Sequence, residues 1–426
     1  MRLFLFLAAT LLTAFAGRSD EFSDNFHDRT LRLDYIFSAN GENRYVNTDN
    51  MSTTAGWAGR RSNLSKLPYL ADGTIDLIDA ETGDTIYRHS FSSLYNEWLA
   101  TDESLTVPQA FHNSFIVPQP RRKTRINVTL TDARREPFAT MTHVYDPEEI
   151  LIESRDNIAP LPHRYLHKSP LPADKAIDVA ILAEGYTRQE MDSFYRHAEI
   201  AVESILNHEP FKSMADRFNF VAVESESMDS GVSVPRLNDW KRTAFGSHFS
   251  TFHSDRYLTT DKLGKVHDAL TGIPYEHIII LANTDEYGGG GIYNSYTLTT
   301  ARHNAFRPVV VHEFGHSFGG LGDEYFYDGD VMEDSYPTDV EPWHPNLTTL
   351  TDFDSKWKAD LKPGTPVPTP VKQAAKWPLG VYEGGGYSSK GVYRPADECR
   401  MRNNSYPAFC EGCRLALVKL INFYTE

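Results

Sequence analysis

The segment His312-Glu313-Phe314-Gly315-His316 contains residue types that can activate water on a metal ion. The two histidines lie four residues apart, so a helix places both imidazoles on one face, where they can bind one ion. Glu313 lies beside them and can accept a proton from the water. Zinc takes nitrogen and oxygen ligands and, at catalytic sites, leaves one position for water. The segment therefore predicts a zinc site with Glu313 as general base.

The third metal ligand is expected shortly after this helix. Gly319 and Gly320 predict the end of the helix and a turn of the chain, which lets a residue just beyond supply a ligand. Asp323 is the candidate for this ligand, and Glu324 is its rival. The predicted metal ligands are therefore the two histidines and Asp323.

The elements that must position these residues fall into two groups. Residues 20–155 alternate short apolar and polar runs between turn-rich stretches, the pattern of an all-β sandwich. Residues 156–174 are rich in proline and predict a linker. Residues 175–426 predict an α/β (α+β) catalytic domain. Its predicted elements are a strand at Ala176–Leu182, a helix from Arg188 to about Leu206, and strands at Phe218–Val223 and His277–Ala282.

The first residues and the net charge bear on location and partners. Residues 1–16 combine Arg2, an apolar run and a small-residue cleavage site, and predict a signal peptide. We therefore expect a secreted, periplasmic or cell-surface protein with no membrane span once the signal is removed. A formal charge of -16 disfavours binding to nucleic acid. The sequence leaves the oligomeric state open.

The chain contains three cysteines, Cys399, Cys410 and Cys413. In an exported protein two of them can form a disulfide and leave the third free. A structural zinc site needs four ligands, and three cysteines alone are one short. The sequence leaves their pairing open.

The longer pattern H-E-x-x-H-x-x-G resembles the metzincin clan, in which a third ligand follows the glycine and a methionine-containing turn supports the metal. The usual third-ligand position is Gly322 here, so the acid at Asp323 departs from the common pattern by one residue. Met401 is the candidate for the turn.

A closer resemblance is to the bacterial IgA-peptidase family of metallopeptidases. The segments that carry it are Leu31–Tyr35, Glu184–Thr187, Glu209–Phe211, HEFGHSFGGLGDEY at 312–325, Gly391–Pro395, Cys399–Met401 and Cys410–Cys413. The resemblance implies a multidomain chain, with an N-terminal β domain before a metzincin-like catalytic domain. It also implies zinc, export, and a protein or peptide substrate, without specifying immunoglobulin A.

Two further features are of interest for substrate binding. The glycine-rich segment Glu286–Ile292 follows a strand, and its glycines would let an extended substrate backbone approach closely. A flexible surface turn is the alternative. A tyrosine hydroxyl near Met401 could stabilise the oxyanion, and Tyr387, Tyr393 and Tyr406 remain alternatives.

The sequence thus predicts a secreted zinc-dependent endopeptidase acting on immunoglobulin A or on other host or extracellular proteins. One alternative is an exported glycan- or protein-binding protein with a structural metal site. Another is a metal-dependent amidase with a non-protein substrate. The intact Glu313 favours catalysis, because a structural site has no use for a general base.

Overall fold

The computed structural model describes residues 21–332 and 334–426. The predicted signal peptide, residues 1–16, lies outside these residues. Within the described ranges, the strands form two four-stranded sheets, a six-stranded sheet and a two-stranded hairpin. None of the described helices is both long and apolar enough to cross a membrane.

The N-terminal part of the described chain is built mainly from the two four-stranded sheets. Its elements are α1 (Glu21–Asn25), β1 (Phe26–Asn40), β2 (Asn43–Ala55), β3 (Gly73–Asp79), β4 (Thr85–Phe91), α2 (Leu94–Leu99), β5 (Gln109–Pro120), β6 (Thr124–Thr131), β7 (Pro137–Tyr145) and β8 (Glu153–Ser154). The strand orders are β5-β1-β2-β8 and β4-β3-β6-β7.

The alternating sequence pattern explains how these sheets pack. In β6 every second residue, from Thr124 to Leu130, is buried, as expected for a strand with one face on a core. Aromatic side chains of the two sheets contact each other: the rings of Phe91 in β4 and Phe115 in β5 are 4.3 Å apart between centroids. The two sheets therefore share one hydrophobic core.

The rest of the chain forms around the six-stranded sheet. Its elements are β9 (His163–His167), β10 (Ile177–Glu184), α3 (Met191–Leu206), β11 (Phe218–Val223), α4 (Leu263–Ala269), β12 (His277–Ala282), β13 (Gly289–Ile292), β14 (Tyr296–Thr300), α5 (Phe306–Ser317), β15 (Tyr382–Gly385), β16 (Ser388–Arg394) and α6 (Glu411–Thr425). The sheet order is β13-β14-β12-β10-β11-β9.

The four inner strands of this sheet run parallel, and the two edge strands β9 and β13 run antiparallel to their neighbours. Every residue of β10 is buried, which accounts for its uninterrupted apolar sequence. Strands β11 and β12 have the bounds that the sequence predicts. The helix that follows β10 begins with a turn of 3₁₀ helix, Arg188–Glu190, behind a capping box between Thr187 and Glu190.

The proline-rich stretch 156–174 differs from the sequence prediction, because it contains strand β9 and is not only a linker. Strand β9 pairs with β11 at the edge of the six-stranded sheet. The prolines flank His163–His167 and do not interrupt it, so its backbone N–H groups remain available for the ladder.

Candidate functional site

Helix α5 presents His312, Glu313 and His316 to a cleft of about 1080 Å³. The helix packs against β13, β14 and α3, and its apolar residues Val310, Val311 and Phe314 are fully buried. The helix is thereby fixed in the core, while one polar stripe faces the cleft. Residues from both parts of the chain line the cleft, among them Arg44, Asp72, Glu97, Arg135, Phe138, Tyr257, Gly289 and Tyr387.

The two histidines are oriented by backbone carbonyls. His312 Nδ1 lies 3.0 Å from the carbonyl oxygen of Arg400, and His316 Nδ1 lies 2.6 Å from that of Leu321. A carbonyl only accepts hydrogen bonds, so each Nδ1 carries the proton and each Nε2 keeps a lone pair. The Nε2 atoms are 3.0 Å apart, and Asp323 Oδ1 lies 3.2 and 3.3 Å from them. Three acceptor atoms therefore converge on one point.

Asp323 Oδ1 has no hydrogen-bond donor among the described residues, although it is buried. Its partner oxygen Oδ2 accepts a hydrogen bond from the hydroxyl of Tyr387. Burial would raise the pKa of Asp323, but the adjacent imidazoles of His316 and His312 hold it well below its ordinary value. A buried, ionised oxygen facing two imidazole lone pairs is suited to bind a cation, and two nitrogens with one carboxylate oxygen suit zinc.

The turn after α5 determines which acid reaches the histidines. Gly320 has a φ of 61°, and the N–H groups of Gly320 and Leu321 donate to the carbonyls of His316 and Gly315 at 2.9 and 3.1 Å. This closes the helix with a left-handed residue and reverses the chain. The reversal brings the Asp323 carboxylate to both His312 and His316.

Gly322 occupies the position that usually supplies the third ligand in the metzincin clan, and there is no room for a side chain on it here. A Cβ atom on it would lie 2.6 Å from Leu347 Cδ1. The side-chain amide of Asn346 also clamps its backbone, through bonds of 2.7 and 2.9 Å. Of the two acids that follow, Asp323 points to the histidines, whereas Glu324 points away from them into a group of buried cysteines.

Met401 lies directly behind the histidine helix. It is fully buried, and its carbonyl accepts the N–H of Glu324 at 2.9 Å. A Cβ atom on Gly315 would lie only 2.7 Å from the Met401 sulfur. A side chain at position 315, directly before His316, would therefore force the Met401 side chain to shift.

The carboxylate of Glu313 lies over the glycines of β13. A Cβ atom on Gly289 would lie 2.9 Å from Glu313 Oε1, and one on Gly291 would lie 2.9 Å from the Cβ of His316. These glycines thus let the edge strand lie against α5, a role that the sequence interpretation did not foresee. Burial raises the pKa of Glu313, and the neighbouring His312 and His316 oppose that rise.

The three tyrosines named from the sequence occupy different places. Tyr387 lines the cleft and donates to Asp323. Tyr393 pairs its backbone with Thr348 at 2.8 and 3.0 Å and is not among the cleft residues, and Tyr406 is exposed. Only Tyr387 is brought to the predicted metal ligands.

Sequence reasoning did not identify Glu97, which reaches the cleft from the N-terminal part of the chain. Its carboxylate accepts a hydrogen bond from the hydroxyl of Tyr257. Burial raises the pKa of Glu97 to about 7, and nearby carboxylates add to the rise, whereas the bond from Tyr257 opposes it. No local signal marks this glutamate, because it is brought to the cleft by tertiary packing.

Paired imidazoles and a carboxylate at the edge of a cleft, with a glutamate beside them, are the parts of a metal-dependent hydrolase. A family model for IgA Peptidase M64 matches residues 165–378, and one for the Peptidase M64 N-terminus matches residues 21–141. The first match alone covers half of the 426-residue chain. The chain belongs to the IgA peptidase M64 family of zinc metallopeptidases.

The two matches also show a multidomain chain whose N-terminal domain is distinct from the peptidase domain. The resemblance drawn from the sequence is therefore confirmed at the level of the family. A search of curated proteins gives no match.

Proposed function

We propose that this protein is a zinc-dependent endopeptidase that acts on proteins after export. The observation that carries the proposal is the convergence of His312 Nε2, His316 Nε2 and Asp323 Oδ1 at the wall of the cleft. These three atoms would hold the zinc ion. Three protein ligands leave a position for water, which is the arrangement of catalytic rather than structural zinc.

The chain's own residues have distinct tasks in this mechanism. Bound zinc would lower the pKa of a water molecule and polarise the peptide carbonyl. A carboxylate oxygen of Glu313 then accepts the proton of the attacking water and passes it to the nitrogen of the leaving amine. Tyr387 acts as a positioning residue, because its hydroxyl is already engaged by Asp323. The carbonyls of Arg400 and Leu321 keep both imidazoles in the tautomer that binds metal.

The size and lining of the cleft support a polymeric substrate. Residues of both the N-terminal sheets and the six-stranded sheet line its volume of about 1080 Å³. An extended peptide lying along the edge strand β13 would pass Glu313 and the histidines. Met401 beneath the helix is consistent with a metzincin-like arrangement. Immunoglobulin A is one substrate to test, and secretion rests on the apolar segment 1–16.

The decisive experiment compares the wild type with Glu313→Gln for cleavage of casein and immunoglobulin A and for zinc content. We expect the variant to keep its zinc and to lose about 10²- to 10⁴-fold in rate, the usual contribution of a general base. Glu203→Gln is the control, because the side chain of this glutamate lies at the surface, paired with Arg307 at 2.8 Å.

Full activity of Glu313→Gln would contradict the proposed role of this residue. Cleavage of a non-protein amide by a zinc-loaded wild type, with no cleavage of any protein, would favour the amidase alternative. Zinc binding without any hydrolysis would favour the binding-protein alternative.

A further inference from the structure

A second set of metal-binding side chains lies behind the first. Glu324, Cys399, Cys410 and Cys413 each offer one ligand atom, and these atoms all lie within 4.8 Å of one another. Glu324, Cys399 and Cys413 are 0% exposed and Cys410 is 6% exposed. A carboxylate without access to water beside three thiols is unusual in a hydrophobic core, because a carboxylate loses much hydration on burial whereas a thiol loses little.

The sulfur atoms are too far apart for a disulfide and well spaced for a shared ion. Cys399 Sγ and Cys413 Sγ are 3.7 Å apart, and all three cysteines are free. A disulfide bond is about 2.05 Å long. Two thiolates on one tetrahedral zinc ion, each about 2.3 Å from the metal, lie about 3.8 Å apart.

Glu324 supplies the fourth ligand that the cysteines lack. Its Oε1 lies 3.0 Å from Cys413 Sγ and 3.9 Å from Cys410 Sγ. These distances bracket the roughly 3.5 Å expected between oxygen and sulfur ligands of tetrahedral zinc. Its Oε2 is buried and has no hydrogen-bond partner among the described residues. The carboxylate is thus aimed into the sulfur cluster with an unused acceptor.

Backbone N–H groups point at two of the three sulfur atoms. The N–H of Cys410 donates to Cys399 Sγ at 3.2 Å, and the N–H of Cys413 donates to Cys410 Sγ at 3.5 Å. Cys410 caps the N-terminus of α6, where the helix dipole stabilises negative charge. Asn346 donates to Glu324 Oε1 at 2.9 Å and fixes its orientation.

We propose that Glu324, Cys399, Cys410 and Cys413 bind a second, structural zinc ion. Four protein ligands leave no position for water on the zinc ion, so the site would be structural and not catalytic. It joins three segments: the start of α6, the Met401 turn, and the Asp323–Glu324 turn. The sequence alone gives three cysteines and one ligand too few, because Glu324 is distant from them along the chain. This proposal does not rest on the peptidase activity.

The test is the zinc content of the full chain with His312→Ala and His316→Ala combined, which removes two ligands of the first site. We expect two zinc ions per chain in the wild type and one in this double variant. X-ray absorption at the zinc edge should then show sulfur neighbours at about 2.3 Å in the double variant. Adding Glu324→Gln should release this zinc, whereas adding Glu184→Gln should not, although Glu184 is also 0% exposed.

Thiol titration of the denatured wild-type chain with a chelator present should give three free thiols. A count of one would mean a disulfide and would overturn the proposal. So would a folded double variant without zinc, or zinc without sulfur neighbours. If the double variant does not fold, X-ray absorption at the zinc edge of the Glu313→Gln protein is the test. Sulfur neighbours of zinc would support the second site, and their absence would overturn it.

Discussion

Asp323 and Glu324 are neighbours in the chain, yet their side chains serve opposite kinds of site. Asp323 faces two histidines at the wall of a cleft, and Glu324 faces three cysteines in the core. The first set offers three ligands and leaves room for water, whereas the second offers four and excludes it. One turn after α5 thus supports an open site on one side and a closed site on the other. In the proposed arrangement, the zinc held by Glu324 and the cysteines would also help to fix the position of Asp323.

A chelator should separate the two sites most strongly. The side chains of His316 and Asp323 are 17% and 10% exposed, whereas Glu324 is fully buried. We expect a chelator to remove one zinc ion and all peptidase activity while the sulfur-bound zinc stays until the chain unfolds. Zinc content and cleavage measured along one time course check this. Loss of the sulfur-bound zinc first would contradict the comparison.

Substitution of Asp323 and substitution of Glu324 should affect different zinc ions. Asp323→Ala removes a ligand, so we expect activity to fall by more than the roughly 100-fold that accompanies loss of a supporting contact. Glu324→Gln should keep the cleft zinc and lose the other. Zinc content and cleavage rate measure both. Full activity of Asp323→Ala would disprove its assignment as third ligand.

Tyr387→Phe tests how the open site is supported. Removal of the hydroxyl leaves Asp323 Oδ2 without its donor, and we expect zinc affinity at the cleft to fall about 10- to 100-fold. Zinc competition with a chromogenic chelator measures the affinity. Tyr393→Phe, in strand β16, which begins directly after Tyr387, is the matched control and should behave as the wild type. Equal zinc affinities of the two variants would show that the Tyr387 hydroxyl does not support the metal ligands.

Gly315→Ala tests the contact between the histidine helix and the Met401 turn. In most helices this change stabilises, by about 1 kcal/mol. Here the new methyl would lie 2.7 Å from the Met401 sulfur, so we expect a loss of about 1–3 kcal/mol in the free energy of unfolding. Denaturant unfolding measures it. Met401→Ala should relieve the clash in a double variant, and additivity of the two changes would argue against the contact.

The sequence predicts what depends on local spacing. His312, Glu313 and His316 follow from helical periodicity, and β11 and β12 follow from uninterrupted apolar runs. Long-range packing is not visible in the same way. Glu97 reaches the cleft, and Asn346 reaches the Gly322 turn, from segments far away in the chain. The sequence around Glu97 and Asn346 contains no pattern that predicts these contacts.

Two sequence interpretations were changed by tertiary structure for specific reasons. The prolines of 156–174 predict a linker, but five residues between them lie at a sheet edge and complete it as β9. The three cysteines fall short of a zinc site until the fold brings Glu324 to them. In both cases the missing partner lies elsewhere along the chain.

The central claim is that His312, His316 and Asp323 hold the metal of a peptidase. Anomalous diffraction at the zinc edge, from crystals of the zinc-loaded Glu313→Gln protein, tests it most directly. We predict a peak about 2.0–2.2 Å from His312 Nε2, His316 Nε2 and Asp323 Oδ1. A zinc-loaded crystal with no peak at these atoms, or with a peak bound by the histidines and Glu324 instead of Asp323, would contradict the account.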